Sequence, residues 1–128
     1  MDIGIVGAGF AGMTAALFLA RDGHQVTLYE RAEEPGPVGA AIVLQPSGLA
    51  VLRLLDLDRD IAAKSARIDR LHVTTPSGKT VVELDYATLD PGWFGLGVGR
   101  GVLVDALWSA LVSAGIDVRT GVDVIAVD

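Results

Sequence analysis

Cysteine is absent from all 128 residues. Disulfides, thiolate nucleophiles and zinc–thiolate sites are therefore excluded. Histidine is scarce too: His24 and His72 lie far apart and supply no metal-ligand spacing. Both read as structural, His24 in a turn after Gly23 and His72 facing outward from a strand. Positive charge is in short supply, with 10 Lys and Arg against 16 Asp and Glu and a formal net charge of -6. The basic residues are scattered, so the concentrated positive patch that a nucleic acid needs is missing. The serines have no His and Asp partners in view, which leaves a catalytic triad unsupported. No internal repeat, linker or low-complexity tract interrupts the chain. The lack of cysteine is compatible with the cytoplasm, the expected compartment.

Apolar residues and glycine are abundant instead. Hydrophobic residues make up 51% of the chain, which holds 16 glycines, and the mean hydropathy is +0.48. A chain of this length can form one compact domain. Such hydropathy points either to a membrane or to a larger body that covers these faces. Ile3 to Ala20 is an uncharged run near the minimum length of a spanning helix. Gly4, Gly7, Gly9 and Gly12 interrupt it, however, each weakening a helix by about 1 kcal/mol relative to alanine. No Lys or Arg precedes the run, and Asp2 stands where the positive region of a signal peptide would be. No membrane span is expected.

The same run reads well as a nucleotide-binding unit. DIGIV (2–6) is a short buried strand closed by glycine, and 11–22 is helical, with Met13, Ala16, Leu17 and Ala20 at helical spacing. Gly23 stops the helix, and QVTLYE (25–30) alternates as a second strand. Strand, turn, helix and strand fit the length of a βαβ unit. GAGFAG (7–12) sits at its turn. There Gly7 would make the sharp turn, Gly9 would let a pyrophosphate approach the backbone, and Gly12 would let the helix pack close to the sheet. The helix N-terminus offers unpaired N–H donors and partial positive charge to the phosphates. Glu30 stands 18 residues after Gly12, close to the expected spacing of about 20. Its carboxylate can accept from a ribose diol and would repel a 2′-phosphate.

Beyond Glu30 the rhythm changes. RAEEPGPVGAAIVL (31–44) has two prolines and two glycines and cannot be a helix. Pro46 opens a helix in which Leu49, Leu52 and Leu55 share a face, and the polar helical stretch DRDIAAKSA follows. RIDRLHVTT and KTVVELDY flank the turn P-S-G-K (76–79) as a β-hairpin. YATLDPGWFGLGVG reads as a loop, in which Trp93 and Phe94 fit either a pocket wall or a loop anchor. From Arg100 to about Ser113, Leu103, Leu107 and Leu111 mark an amphipathic helix. IDVRT and VDVIAVD read as two short strands. The chain stops at Asp128 inside the second, so a fragment of a longer protein is expected. An NAD domain would continue its strand–helix alternation. A proline- and glycine-rich loop, a helix and a hairpin favour FAD.

At this point the chain resembles the FAD-dependent aromatic hydroxylases, single-component flavoprotein monooxygenases related to 4-hydroxybenzoate, salicylate and ubiquinone-pathway hydroxylases. The resemblance covers essentially all 128 residues but only the first third or so of such an enzyme. IVGAGFAGMTAALFLARDGHQVTLYER resembles the opening βαβ, with Glu30 and Arg31 as the acidic–basic pair at the adenosine end. PVGAAIVLQPSGLAVLRLLDL resembles the loop and helix beside the flavin. GRGVLVDAL resembles the segment whose arginine, here Arg100, contacts FAD. RTGVDVIAV resembles the strand passing the adenine, with Val124 using its backbone. The resemblance implies an α/β fold, a truncated Rossmann-like βαβ FAD-binding fold of the glutathione-reductase kind, with an inserted β-hairpin. Residues 1–128 would be the N-terminal part of an FAD-binding domain, and an insertion at about 66–98 would begin the substrate-side region.

The cofactor would be FAD, with NAD(P)H as co-substrate of the full-length enzyme and a small aromatic molecule as its substrate. Gly7, Gly9, Ala11, Gly12, Glu30, Arg31, Gln45, Arg100 and Val124 are the expected cofactor contacts. Gln45 serves equally as the start of the Pro46 helix. No side chain is assigned as a catalytic acid, base or nucleophile, because the cofactor carries the chemistry.

Two departures stand out: Gly39, Ala40 and Ala41 occupy a place where family members often have Gly-x-Gly, and Gly99 stands where a side chain such as histidine is common. A methyl at 41 could narrow the approach to the flavin. The family's later Asp-Gly and Gly-Asp segments are not found. The missing C-terminal part of the same chain is the expected packing partner, and without it the first strand would be left with an open edge. Two other readings stay open at this stage: a stand-alone dinucleotide-binding or interaction module without turnover, and an NAD-linked dehydrogenase domain.

Overall fold

Short β-branched segments, each closed by glycine or by a polar turn, build the first of two compact units, residues 1–39 with 100–128. The computed structural model describes residues 1–36 and 39–126. Strand β1 (Asp2–Val6) leads through the glycine turn into helix α1 (Phe10–Arg21) and returns as β2 (Gln25–Tyr29). β1 and β2 are parallel, with Ile3 opposite Val26 and Ile5 opposite Leu28. Gly23, at φ +84, reverses the chain after α1, a conformation that costs glycine little. The order strand, helix, strand is the expected one, but β1 is not the buried strand expected. Ile3 and Ile5 are half-buried and Asp2, Gly4 and Val6 exposed, because β1 has a neighbour on one side only among the described residues.

Met13, Ala16 and Leu17 are the buried face of α1, which packs on β2 and on the helix at 100–113. That helix buries Leu103, Leu107 and Leu111 as expected. It is not amphipathic, because its other faces also carry apolar residues such as Val102, Val104, Trp108 and Val112. Strand Asp117–Arg119 completes a three-stranded parallel sheet by pairing with β2, Val118 opposite Leu28. The first strand therefore stands at the edge of this sheet among the described residues, as expected. Val6 is 62% exposed there.

The second unit comprises residues 40–99. In chain order it holds β3 (Ala41–Leu44), α2 (Pro46–Leu54), α3 (Asp58–Ala62), β4 (Ala66–Ile68), β5 (Arg70–Thr74), β6 (Thr80–Asp85), a 3-10 turn (Tyr86–Thr88) and β7 (Gly95–Gly99). The helix at 100–113 is α4 and the last strand is β8. β7 lies between β3 and β4, antiparallel to both. β5 and β6 form the expected hairpin around 76–79. The core of this unit is Leu49, Leu52, Leu55, Ile61, Tyr86, Leu96 and Val98.

Further readings of the sequence are corrected. The loop expected at the end of 86–99 contains β7. Its glycines allow close cross-strand approach: a Cβ at Gly95 would lie 3.1 Å from the Tyr86 hydroxyl and 3.2 Å from the Leu44 carbonyl oxygen. Leu96 and Val98 alternate with them into the core. RIDRLHVTT is two strands rather than one, because β4 pairs with β7 and β5 with β6. Residues 31–44 hold no helix among the described residues, as expected, and end in strand β3, while Pro37 and Val38 lie outside the described residues.

VDVIAVD is not a strand over 122–126, and its last two residues lie outside the described ones. Gly121, at φ +70, turns the chain there. The following backbone is held by Gly121 N–H to the Ala32 carbonyl (3.1 Å) and Val122 N–H to the Glu30 carbonyl (2.9 Å).

Leu107 is 1% exposed and Val112 66% exposed on the same helix. Leu107→Ala is expected to cost about 2–5 kcal/mol of unfolding free energy, and Val112→Ala less than about 0.5 kcal/mol. Urea denaturation of the two variants measures both.

Candidate functional site

Three glycines shape the turn after β1, each for a different reason. Gly7, at φ +97, takes the left-handed region, which a β-carbon disfavours. Its N–H donates to the Tyr29 carbonyl at 2.7 Å, extending the β1–β2 ladder. Gly12 is needed for contact: a Cβ there would overlap the Gly7 carbonyl oxygen and lie 3.6 Å from Ile5 Cγ2. Gly9 has an extended backbone (φ -73, ψ 177) and is the N-cap of α1. A Cβ added at Gly9 would meet nothing within 4 Å. The fold has no need of glycine at position 9, and the space over it is open.

Gly9 has no side chain to cap the helix, and the first turn holds no acidic residue. The first-turn N–H groups and the positive end of the helix dipole thus face a turn in which Gly9 and Ala11 are exposed.

Glu30, half-buried at the end of β2, reaches across to this turn. The Ala8 N–H donates to Glu30 Oε2 at 2.7 Å, and the Ala32 N–H donates to Oε1 at 2.9 Å. These bonds, Ala32 first and Ala8 second, hold the carboxyl below its ordinary range against a smaller opposing effect of burial, and the Arg31 charge lowers it further. Arg31 itself is exposed.

Arg100, at the start of α4, lies beside the same turn. Its guanidinium is 6.0 Å from the centre of the Phe10 ring, and its Nη1 is 3.3 Å from where a Cβ on Gly39 would stand. Gly39 has φ +91, so a side chain there would be both strained and crowded by Arg100. Val124 lies half-buried in the segment that follows the Val122–Glu30 bond. Gly7, Gly9, Ala11, Gly12, Glu30, Arg31, Arg100 and Val124 all belong to the first unit.

Gln45 belongs to the second unit, where it is the N-cap of α2. It makes no side-chain capping bond. Its carboxamide oxygen instead accepts from the hydroxyl of Tyr86 at 2.6 Å. Tyr86, 1% exposed, is a polar residue whose importance the sequence hid inside an apparent loop. Ala41 and Gly99, the two positions that depart from the family pattern, are cross-strand partners in β3 and β7. Phe94 lies under the Arg67 guanidinium at 4.0 Å, whereas Trp93 is 47% exposed. Among the described residues there is no group of three or more His, Asp or Glu that could hold a metal ion. No helix there is long and apolar enough to cross a membrane.

A parallel βαβ unit with an uncapped helix N-terminus, an open glycine and a carboxylate at the end of the second strand defines a dinucleotide-binding protein. The residues present suit FAD: an anion cradle left open at Gly9 and a carboxylate with lone pairs to spare for a ribose diol. The chain belongs to the FAD binding domain family, whose model matches residues 1–128.

It is 30% identical, over 97% of its length, to the FAD-dependent monooxygenase OpS4 of Beauveria bassiana and covers 30% of that protein. It is 37% identical, over 63% of its length, to the FAD-dependent urate hydroxylase of Mycolicibacterium vanbaalenii, covering 21% of it. The crystal structure of 2-methyl-3-hydroxypyridine-5-carboxylic acid oxygenase superposes with a TM-score of 0.84 at 29% identity, over 99% of this chain and 33% of that one. The chain thus spans a third or less of the length of these relatives.

Gly9→Ala is expected to leave the melting temperature within a few degrees of the parent and to weaken FAD binding. Gly12→Ala, which forces backbone apart, is expected to destabilise by about 1–3 kcal/mol. Thermal melts with FAD titrations separate the two. The lowered carboxyl of Glu30 makes its stabilisation complete above the ordinary glutamate range and lost as pH falls through the lowered value. The difference in melting temperature between the parent and Glu30→Gln should therefore shrink on acidification, as a pH series of melts would show.

Proposed function

We propose that this chain is the FAD-binding opening of a flavin-dependent monooxygenase that hydroxylates an aromatic or related small molecule with NAD(P)H and O2. The observation that carries this reading is the first-unit site: an uncapped helix start over an open glycine, with Glu30 and Arg100 on the same turn. Family membership and the relatives, which are FAD-dependent monooxygenases and hydroxylases, support it.

When bound, FAD supplies the redox chemistry, accepting hydride and activating oxygen. The chain's own residues bind and orient it. Gly7, Gly9, Ala11 and Gly12 would admit the pyrophosphate, and Glu30 and Arg31 would meet the adenosine. Val124 would offer backbone to the adenine. Arg100 would place a fixed positive charge near the cofactor, and Gln45 would contribute from the start of α2.

Residues 66–98 are proposed as the beginning of a substrate-side region, and the cytoplasm as the compartment. The rest of the same polypeptide is proposed as the packing partner. The relatives' greater length and the exposure of Val6, Leu54 and Val112, at 62%, 66% and 66%, support this.

The test is made on the whole protein. It is expected to bind FAD, to oxidise NAD(P)H faster when an aromatic acid or phenol is present, and to consume O2 in step. Arg100→Ala is expected to raise the FAD dissociation constant about 10-fold or more, in line with the loss of a charged hydrogen bond. Binding of FAD without NAD(P)H-dependent O2 uptake on any aromatic compound would leave a binding module and remove the monooxygenase reading.

A further inference from the structure

The reach of Glu30 connects two places that a ribose contact alone would leave separate. Its backbone is clamped on both sides: Glu30 N–H donates to the Arg119 carbonyl at 2.8 Å, and Val122 N–H donates to the Glu30 carbonyl at 2.9 Å. Two residues on, the Ala32 carbonyl accepts from Gly121 N–H at 3.1 Å. From this fixed base the carboxylate crosses 22 positions of sequence to the Ala8 N–H, at the middle of the glycine turn. The far end is held as well, because the Gly7 N–H donates to the Tyr29 carbonyl and Gly12 packs on the Gly7 carbonyl.

Resting on the reading of this turn as an FAD site, we propose that Glu30 is a positioning residue for the phosphate-binding turn as well as an acceptor for the ribose. One carboxylate holds the Ala8 and Ala32 N–H groups and so sets the direction of the pyrophosphate donors before a ligand arrives. A carboxylate has about four lone-pair sites. Two are committed to the backbone here, which leaves a second lone pair on each oxygen for the two hydroxyls of a ribose. The adenosine and pyrophosphate halves of the ligand are then coupled through a single side chain. A ribose that donates to Glu30 meets a group already aimed, with no side-chain rotamer left to freeze. The lowered carboxyl of Glu30 agrees with a group kept ionised for this purpose.

A ligand without the diol separates the two roles. In the full chain freed of flavin, dissociation constants are measured for ADP and 2′,3′-dideoxy-ADP in the parent and in Glu30→Ala. A residue that acts only through the ribose loses its effect when the diol is gone. A residue that also holds the turn does not. The expected result is that Glu30→Ala weakens both ligands, with about 5-fold or more of the loss persisting on the dideoxy form.

Glu30→Gln, which preserves side-chain size, serves as the second variant. The Ala8 amide proton signal should shift upfield and its hydrogen exchange quicken, while amides around Leu107 stay protected. Equal affinity of parent and Glu30→Ala for the dideoxy ligand would overturn the positioning role and leave the FAD reading intact. Failure of the parent to bind ADP or FAD would overturn both. An unmoved Ala8 amide in Glu30→Gln would also count against the strut.

Discussion

The nucleotide site depends on the contact between α1 and the turn that precedes it. The start of the helix comes down onto the Gly7 carbonyl at Gly12, where no β-carbon can be accommodated. That closeness seats the first turn of α1 directly on the end of the glycine turn. It also lets Gly7 stay in the β1–β2 ladder while its φ turns the chain. Once the helix is seated, Met13, Ala16 and Leu17 are buried in its packing on β2 and α4. The same packing that stabilises the unit therefore also fixes the N-terminal end of α1 against the glycine turn.

Charge at the site is local and opposes the charge of the whole. The chain is acidic overall, at -6, yet the first turn of α1 carries no acidic residue, and Arg100 sits against Phe10. An anionic cofactor meets the helix end and the guanidinium at short range, where distant carboxylates are screened. Glu30 brings a negative group to the turn. Its charge is balanced by two backbone N–H groups and the neighbouring Arg31. A carboxylate so held can accept from a neutral sugar hydroxyl while remaining costly for a second phosphate.

Glycine does different work in the two units. In the first it provides a left-handed turn at Gly7 and a close contact at Gly12. In β7 it provides flatness: Gly95 leaves room for Tyr86 and the Leu44 carbonyl, and the alternating Leu96 and Val98 fill the core. Tyr86 in turn holds the carboxamide of Gln45, so a residue at the start of α2 is oriented by a 3-10 turn 41 positions along the chain.

What the sequence determined by itself is the βαβ unit and its chemistry. The glycine spacing, the alternation of QVTLYE and the leucines at 103, 107 and 111 are local patterns. Local patterns suffice where a hydrogen-bonded turn or one helix face decides the outcome. Tertiary structure decided what depends on distant partners. GLGVG became a central strand because β3 and β4 flank it. RIDRLHVTT was divided because its halves pair with different strands. Residues 122–126 were kept out of a strand by the turn at Gly121 and by bonds to Glu30 and Ala32. The double engagement of Glu30 belongs to the same class. Its position after β2 is legible as a ribose acceptor, but only the folded chain brings Ala8 within 2.7 Å of its carboxylate. Hydrogen bonds between residues far apart in sequence leave no periodic trace in it.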